Sequence, residues 1–477
     1  MVKKLFAFLI ISLSVFAAKS PRINGFFIQP VLGYGVADYT GKFGTQEYYD
    51  NWVKSMADIG ATMLFYQWTG HYEENQGWYS NAYGGAASAD FFYYETNLTP
   101  LNGIPVQTWM HGIETWTGER VSPVKRVLDA GEKHGVKIWL GLYLSEKGQF
   151  NWWNAVNSNN ISASDSATFR HHVERSVQMV QDLPFDYLAH SALGGFYYPI
   201  EIANLGFEKE ENWDMLVWLL DSVAIEVSKQ TGKRLAISPF FNTRLTPAEE
   251  WGRMWNYVLG RMPFENNRNI VMILQDGVGV EPHILTESTD LISPYFRAVR
   301  DACLNNGIPF WANVELFTNT SGDRANMQMT PSSIEKILLQ KNTLAEFADT
   351  FVNFSFMSLD PFVENVGFSG FPLSARQKLY NDYKAYYQNI PTAIGAAQRP
   401  KTALKNYQVS VSGNRISFPK FDSPVSYSLV SPSGRVVLSG ISEGGKTITS
   451  PTAAGIYILM LNIGTQTPMK QKIFIQN

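Results

Sequence analysis

Two glutamates end runs of strand-forming residues. Glu201 closes residues 195–201 (Gly-Phe-Tyr-Tyr-Pro-Ile-Glu), and Glu315 lies in residues 311–317 (Trp-Ala-Asn-Val-Glu-Leu-Phe). Glycoside hydrolysis needs two carboxyls flanking one sugar bond. One protonates the leaving oxygen, the other stabilises or attacks the anomeric carbon, and their separation selects retention or inversion. A third carboxyl, Asp276 in residues 275–279 (Gln-Asp-Gly-Val-Gly), follows another such run. The glycines beside it permit close backbone approach to a ligand. Asp276 therefore reads first as a substrate contact and second as a catalytic partner of Glu201 in place of Glu315. Gln29, Gln67, Trp68, Tyr143, Asn242 and Gln275 lie at or just past strand ends, and Trp311 lies in the run leading to Glu315. Amide and hydroxyl groups suit sugar hydroxyls and aromatic faces suit sugar rings, so these seven are read as substrate-binding residues.

Other chemistries have less support. His171 and His172 are adjacent on a helical pattern and face different ways, and no histidine pair has the four-residue spacing of helical zinc ligands. No metal or cofactor is expected. His71 and His111 flank one long connection and read as hydrogen-bonding groups. Ser369, in residues 367–371 (Gly-Phe-Ser-Gly-Phe), lacks the strand–elbow–helix context of a nucleophilic serine. The lone cysteine, Cys303, sits on the apolar stripe of a helix and reads as a buried, inert thiol.

Eight strand runs must carry these groups: 25–30, 61–68, 137–144, 195–202, 234–240, 269–275, 309–316 and 351–356. Between them lie segments of helical period. Their start signals include Thr45, Ser122-Pro123, Ser164, Thr246-Pro247, Ser293-Pro294 and Thr330-Pro331. This grammar predicts an α/β chain built on a closed (β/α)8 TIM barrel over residues 22–392, with the chemistry gathered at the C-terminal ends of the strands. An open doubly wound sheet is the rival, weakened because no glycine-rich phosphate fingerprint follows the first strand. Residues 69–120 form a long aromatic insertion after the second strand, with Trp78 and Trp116 as further sugar platforms. From residue 402 the helical period gives way to short alternating strands, read as a small all-β sandwich over 402–477.

Composition sets the outer bounds. The chain has 477 residues, of which 45% are hydrophobic, 14% aromatic and 17% charged, which excludes disorder for most of it. A formal charge of -3 gives no broad basic surface, so nucleic acid is not expected as a partner. Lys3 and Lys4, an apolar run to Phe16 and then Ala17-Ala18 read as a signal peptide over residues 1–18. That run is too short to span a bilayer, and no transmembrane segment is expected in the mature chain.

The segments 24–30, 141–143, 195–201, 274–279 and 311–317 together resemble a bacterial family of secreted, glycoside-hydrolase-like barrels of unknown function. The resemblance implies the barrel fold and a carbohydrate substrate. The carboxyls on strands four and seven are also similar to those of the retaining barrel glycosidases. By that resemblance Glu201 is the general acid/base and Glu315 the nucleophile, although those enzymes carry an asparagine where Ile200 stands here. The tail, with residues 436–440 (Val-Val-Leu-Ser-Gly) and 454–458 (Ala-Gly-Ile-Tyr-Ile), resembles the C-terminal sorting domains of type IX secretion. This implies secretion machinery as a partner and a secreted or cell-surface location reached through the periplasm; a glycan-binding or spacer sandwich is the alternative. The reading is a secreted glycoside hydrolase acting on a polysaccharide or oligosaccharide. Its rivals are a non-catalytic glycan-binding barrel and another carbohydrate-active enzyme such as a lyase or esterase.

Overall fold

A computed structural model describes residues 22–29, 45–158, 161–262, 269–324, 326–363, 371–389, 409–418, 425–430, 436–442, 445–449, 455–462 and 469–475. The chain divides into two compact units at residues 390/391. In the first, eight parallel strands close into a barrel. In chain order they are Ile23–Ile28, Met63–Tyr66, Lys137–Gly141, Leu193–Tyr198, Leu235–Ile237, Ile270–Gln275, Phe310–Glu315 and Phe351–Phe354. The first strand pairs with both the second and the eighth, which leaves no free edge. All eight sequence-predicted runs are barrel strands.

The strands close on an apolar interior because their inward residues alternate. Phe27, Phe65, Trp139, Tyr197, Val271, Ile273 and Val352 form one buried cluster inside the barrel. A strand turns successive side chains to opposite faces, so the next inward positions are Gln29, Gln67, Gln275 and Glu315. The interior thus changes from apolar to polar at the C-terminal end.

Helices cover the outside, and most of their start signals act as the sequence predicts. Thr45 caps Gln46–Asp58 and Ser122 caps Pro123–His134, whereas Ala163–Asp182 starts on a capping box of Ser162 with Asp165, two residues before the expected Ser164. One start signal is corrected: Thr330-Pro331 opens no helix. Met329–Pro331 pairs antiparallel with Phe317–Asn319, and the helix Ile334–Leu344 starts later on a Ser333 cap. Proline is tolerated in this two-stranded ribbon as it is at the start of a helix, so the local signal was ambiguous. Among the described residues, no helix is long and apolar enough to cross a membrane.

The insertion is a small folded layer rather than an open loop. Val106–Thr108, Ala89–Phe92, Gly70–Glu73 and Tyr143–Leu144 form a four-stranded sheet in that order. Its aromatics are packed away, in one apolar cluster with the barrel strands and helices: Tyr79, Phe91, Phe92, Tyr93, Tyr94 and Trp109 are all buried. Aromatics in this segment are therefore mostly structural, because a sheet lying over the barrel needs apolar filling of its own. A buried ion pair fastens the layer, with Asp90 accepting from Arg175 of the long helix at 2.8 Å and neither side chain exposed. Burial raises the Asp90 carboxyl to about 6 against the pull of Arg175 and of Tyr143, whose hydroxyl donates to it.

The second unit holds a three-stranded and a four-stranded antiparallel sheet. Ile416 and Phe418 from the first share a core with Tyr427, Leu429, Tyr457, Leu459, Ile473 and Ile475 from the second. The alternation 427/429, 457/459 and 473/475 is that of strands with one buried face. The strand Thr447–Thr449 escaped the sequence pattern because it is short and threonine-rich.

Closure of the barrel depends on one close backbone approach. A Cβ on Gly141, in the third strand, would lie 2.0 Å from the Gln67 carbonyl oxygen, a clash with backbone that no side-chain shift relieves. Gly141→Ala is expected to destabilise the barrel by about 3 kcal/mol, the upper part of the usual range for overpacking. Denaturant unfolding followed by tryptophan fluorescence checks this; a variant within experimental error of the wild type would mean that the two strands can separate freely here.

Candidate functional site

Glu315 ends the seventh strand, and its Oε2 accepts from the backbone N–H groups of Gly279 at 2.6 Å and Val280 at 3.1 Å. The loop after the sixth strand makes this possible because residue 279 has no side chain. A Cβ there would sit 2.7 Å from that same oxygen. The glycine expected to admit a ligand instead admits the Glu315 carboxylate.

Asp276, one residue past the sixth strand, is wholly buried. Its Oδ1 accepts from the N–H groups of Val278 at 3.1 Å and Glu315 at 3.3 Å, and its Oδ2 from Gln340 Nε2 at 2.7 Å. Gln340 also donates to the Glu315 carbonyl. The expectation of a substrate contact at Asp276 is corrected by this geometry: no surface is left for a ligand, and the carboxyl acts on the backbone of Glu315. Burial pushes up both Glu315 and Asp276, and the Asp276 charge pushes Glu315 further. Lys336 opposes this rise. Its ammonium donates to the carbonyls of Val278 and Phe317 and to Thr318 Oγ1, and burial lowers it to about 8.

Glu201 lies three residues past the fourth strand and is half-buried. Burial raises its carboxyl to about 7; a hydrogen bond from Gln275 Nε2, at 3.3 Å, acts against the rise and the charge of Glu146 adds to it. Gln275 also donates to the Ser238 carbonyl at 2.8 Å, so its amide is held from two sides. One dipeptide, Gln275-Asp276, therefore contacts both glutamates: Gln275 the Glu201 carboxylate, and Asp276 the Glu315 amide.

The other expected residues divide. Gln67 is buried, and its Oε1 accepts no hydrogen bond among the described residues. Gln29 is half-buried at the end of the first strand. Trp68 lines a small open cleft of about 20 Å³ with His71, Tyr72, Glu73, Leu144, Glu146 and Lys147. Asn242 is half-buried, and its Oδ1 caps the Arg244 N–H at 2.9 Å. Two aromatic assignments are corrected. Tyr143 is wholly buried, with its hydroxyl against Asp90 and His171. Trp311 packs edge-on against Trp139 inside the barrel, four residues before Glu315 and so roughly 13 Å below it along the strand.

The flagged histidines differ in setting. His171 and His172 are buried; burial lowers them to about 3 and about 4. His111 is exposed and contacts Arg120, whereas His71 lines the cleft. Cys303 is buried, and burial raises its thiol. Ser369 lies outside the described residues. Among the described residues, no group of His, Cys, Asp or Glu is placed to hold a metal ion.

Sequence reasoning passed over Glu73, Glu146, Lys147, Lys336 and Gln340. Glu146 and Lys147 were within reach, because they follow the third strand run as the flagged residues follow theirs. Lys336 and Gln340 sit on a helix, where nothing local marks them as serving a carboxyl.

Residues 23–362 match the family described as "Domain of unknown function (DUF4434)". No curated protein matches the sequence. Among solved structures, a "putative alpha-L-fucosidase" of Bacteroides thetaiotaomicron VPI-5482 is 15% identical, with a TM-score of 0.51 over 78% of this chain and 96% of that one. A beta-galactosidase from the psychrophilic Marinomonas ef1 is 12% identical, with a TM-score of 0.44 over 82% of this chain and 62% of that one. At these identities the likeness is one of fold.

The raised carboxyls couple the site to stability. Each binds its proton more tightly in the folded chain than in the unfolded one. Its contribution is therefore complete below the ordinary carboxyl range, near 4.5 for glutamate, and is lost as the pH rises, for Glu201 through about 7. His171 and His172 act in the opposite sense, so the wild-type curve alone mixes both effects. The difference between wild type and Glu315→Gln reads the Glu315–Asp276 pair without the histidines: the variant's melting temperature is expected to gain on wild type steadily between pH 4.5 and 8. Parallel melting curves across that range would show that Glu315 carries no raised affinity for its proton.

Proposed function

We propose that this chain, which belongs to the DUF4434 family, is a glycoside hydrolase in which Glu201 is the general acid/base and Glu315 the nucleophile. The coarser premise, a glycosidase-like barrel and a carbohydrate-active protein, comes from the closed eight-stranded fold and its solved likenesses. The finer assignment rests on one observation: the two glutamates at the ends of strands four and seven differ in what holds them, one amide at Glu201 and two backbone N–H groups at Glu315, and are linked by Gln275-Asp276.

Glu201, raised to about 7, holds a proton at mildly acidic to neutral pH. A general acid works best with its pKa near the operating pH. Glu315 has one oxygen fixed by two N–H groups, which orients the carboxyl and works against its rise to about 8, driven by burial and the Asp276 charge. In the first step the glycosidic C–O bond breaks as Glu201 gives its proton to the leaving oxygen and Glu315 bonds to the anomeric carbon. Water then attacks that carbon, its proton passes to Glu201, and the Glu315 ester bond breaks. In this reading Asp276, Gln340 and Lys336 are positioning groups: they fix the backbone and charge around Glu315 without touching substrate.

The tail and leader extend the proposal. Residues 1–18 as an export signal and 402–477 as a sorting domain would deliver the enzyme through the periplasm to the cell surface or medium, with secretion machinery as the partner.

Incubation with a panel of plant and microbial glycans, read as released sugar, tests the activity. Glu201→Gln is expected to lower kcat by roughly a hundred- to ten-thousand-fold. Glu315→Gln is expected to abolish turnover while leaving sugar affinity within a few-fold. Full activity of Glu315→Gln would remove that residue from the mechanism, and glycan binding without any released sugar would favour the binding-only barrel.

A further inference from the structure

We propose that Arg244 and Arg324, paired on the buried Glu281 at the rim of the barrel mouth, bind an oxyanion carried by the glycan: the carboxylate of a uronic acid or a sulfate ester. The proposal rests on the hydrolase reading for the ligand being a glycan, and it adds that glycan's charge class. The three residues lie on the connections after strands five, six and seven, which are neighbours in the barrel, so they stand on the same end as the two glutamates. Glu281 follows directly on Val280, whose N–H donates to Glu315 Oε2 at 3.1 Å. The loop that fixes the proposed nucleophile therefore also carries the anchor of both arginines.

Charge is what points to an anion. Glu281 is only 4% exposed, and a carboxylate so buried needs one cation beside it. It has two: Arg244 Nη2 at 2.7 Å and Arg324 Nε at 3.2 Å lie on the same oxygen, Oε1. One positive charge is left over. The Arg244 side chain is 64% exposed and that of Arg324 39%, and neither guanidinium meets a further acceptor among the described residues. Two planar forks with N–H donors to spare suit the paired oxygens of a carboxylate or sulfate. Asp323, the carboxylate next in the chain, accepts from Asn326 Nδ2 at 2.9 Å.

Both arginine-bearing connections are tied down. Asn242 Oδ1 accepts from the Arg244 N–H at 2.9 Å, and the Asn242 N–H donates to Asn204 Oδ1 at 2.9 Å. Asn319 Nδ2 donates to the carbonyls of Val280 at 3.3 Å and Asp323 at 3.1 Å, joining the segment of Arg324 to that of Glu281. Donors held in place in advance lose less freedom on binding than long cations loose in solvent. A neutral sugar offers them only hydroxyl lone pairs, whereas a carboxylate or sulfate also neutralises the spare charge.

Calorimetric titration of the full-length chain with matched ligands tests this: tri-galacturonate against its methyl ester, and a sulfated carrageenan oligosaccharide against its desulfated form. In about 50 mM salt the acidic member of at least one pair is expected to bind roughly tenfold or more tightly than its neutral match, the advantage shrinking as salt rises. Which pair shows it tells uronate from sulfate. Arg244→Gln leaves Glu281 its Arg324 partner; it is expected to weaken the acidic ligand about fivefold or more and the neutral one by less than about twofold, with melting temperature unchanged. Arg324→Gln, the mirror change, is expected to act alike, so the result does not hang on the folding of one loop. Neutral ligands bound as tightly as acidic ones, no acidic ligand bound, or both variants binding like wild type each overturns the site. The hydrolase reading fails separately. Arginine-dependent binding of an acidic glycan that is never cut keeps the site without the hydrolase; cleavage that needs Glu315 but treats acidic and neutral glycans alike keeps the hydrolase without the site.

Discussion

The mouth of this barrel is organised around two carboxyls that burial pushes together in charge and that the backbone holds apart in role. Asp276 and Glu315 end neighbouring parallel strands, where register leaves their side chains close and water is excluded. Two bare anions in such a place would repel strongly. The surrounding structure answers with five donors in fixed positions: the N–H groups of Val278, Gly279, Val280 and Glu315 and the amide of Gln340. Lys336 adds a positive charge that is itself tied to three oxygens. Much of the local architecture follows from this need. The loop after strand six must turn its amides inward, residue 279 must lack a side chain, and the helix Ile334–Leu344 must start where Lys336 and Gln340 face the barrel.

This explains what was legible in the sequence. The eight strands could be read because strands buried on both faces leave short β-branched and aromatic runs between helical segments, and Glu315 could be read because it ends one such run. Position at a strand end likewise flagged Gln29, Gln67 and Gln275. Tyr143 and Trp311 were misread for one reason: strand pattern tells which face a residue takes, not how deep it lies or whether a second layer covers it. Trp311 has the right face at the wrong depth, and Tyr143 is covered by the insertion sheet that holds Asp90. Asp276 was misread because a carboxyl beside glycines signals a tight backbone approach without saying what approaches. The supporting residues Lys336 and Gln340 were invisible, since their partners lie 64 residues away or on another element.

The aromatic insertion shows how composition can mislead about function. A stretch rich in tryptophan and tyrosine after a barrel strand looks like a sugar platform, yet a four-stranded layer of its size cannot stay folded without burying apolar surface of its own. Phe91 against Trp109 and Tyr79 against Tyr83 meet that need. What the insertion gives the candidate site comes from the edge nearest the barrel, where Gly70–Glu73 pairs with Tyr143–Leu144 and carries His71 and Glu73 into the cleft. Its value to function is therefore positional. It adds a sheet, tied to the long helix by Asp90 and Arg175, beside the mouth.

The two glutamates differ in what holds them. Glu201 sits on an irregular segment, half-buried, with a single amide from Gln275 as a hydrogen-bond partner at its carboxylate among the described contacts. Little fixes its charge, so desolvation dominates and the group keeps a proton to near neutrality. Glu315 is buried more deeply and raised further, to about 8, but its position is fixed, with one oxygen locked between two N–H groups. A carboxyl that easily gains and loses a proton suits transfer to a leaving oxygen; one whose position is fixed by backbone suits attack on a carbon, where orientation governs the barrier more than proton affinity does. The division of labour proposed for the pair thus follows from which groups the strands place at each carboxyl. It would reverse if the amide cradle belonged to Glu201.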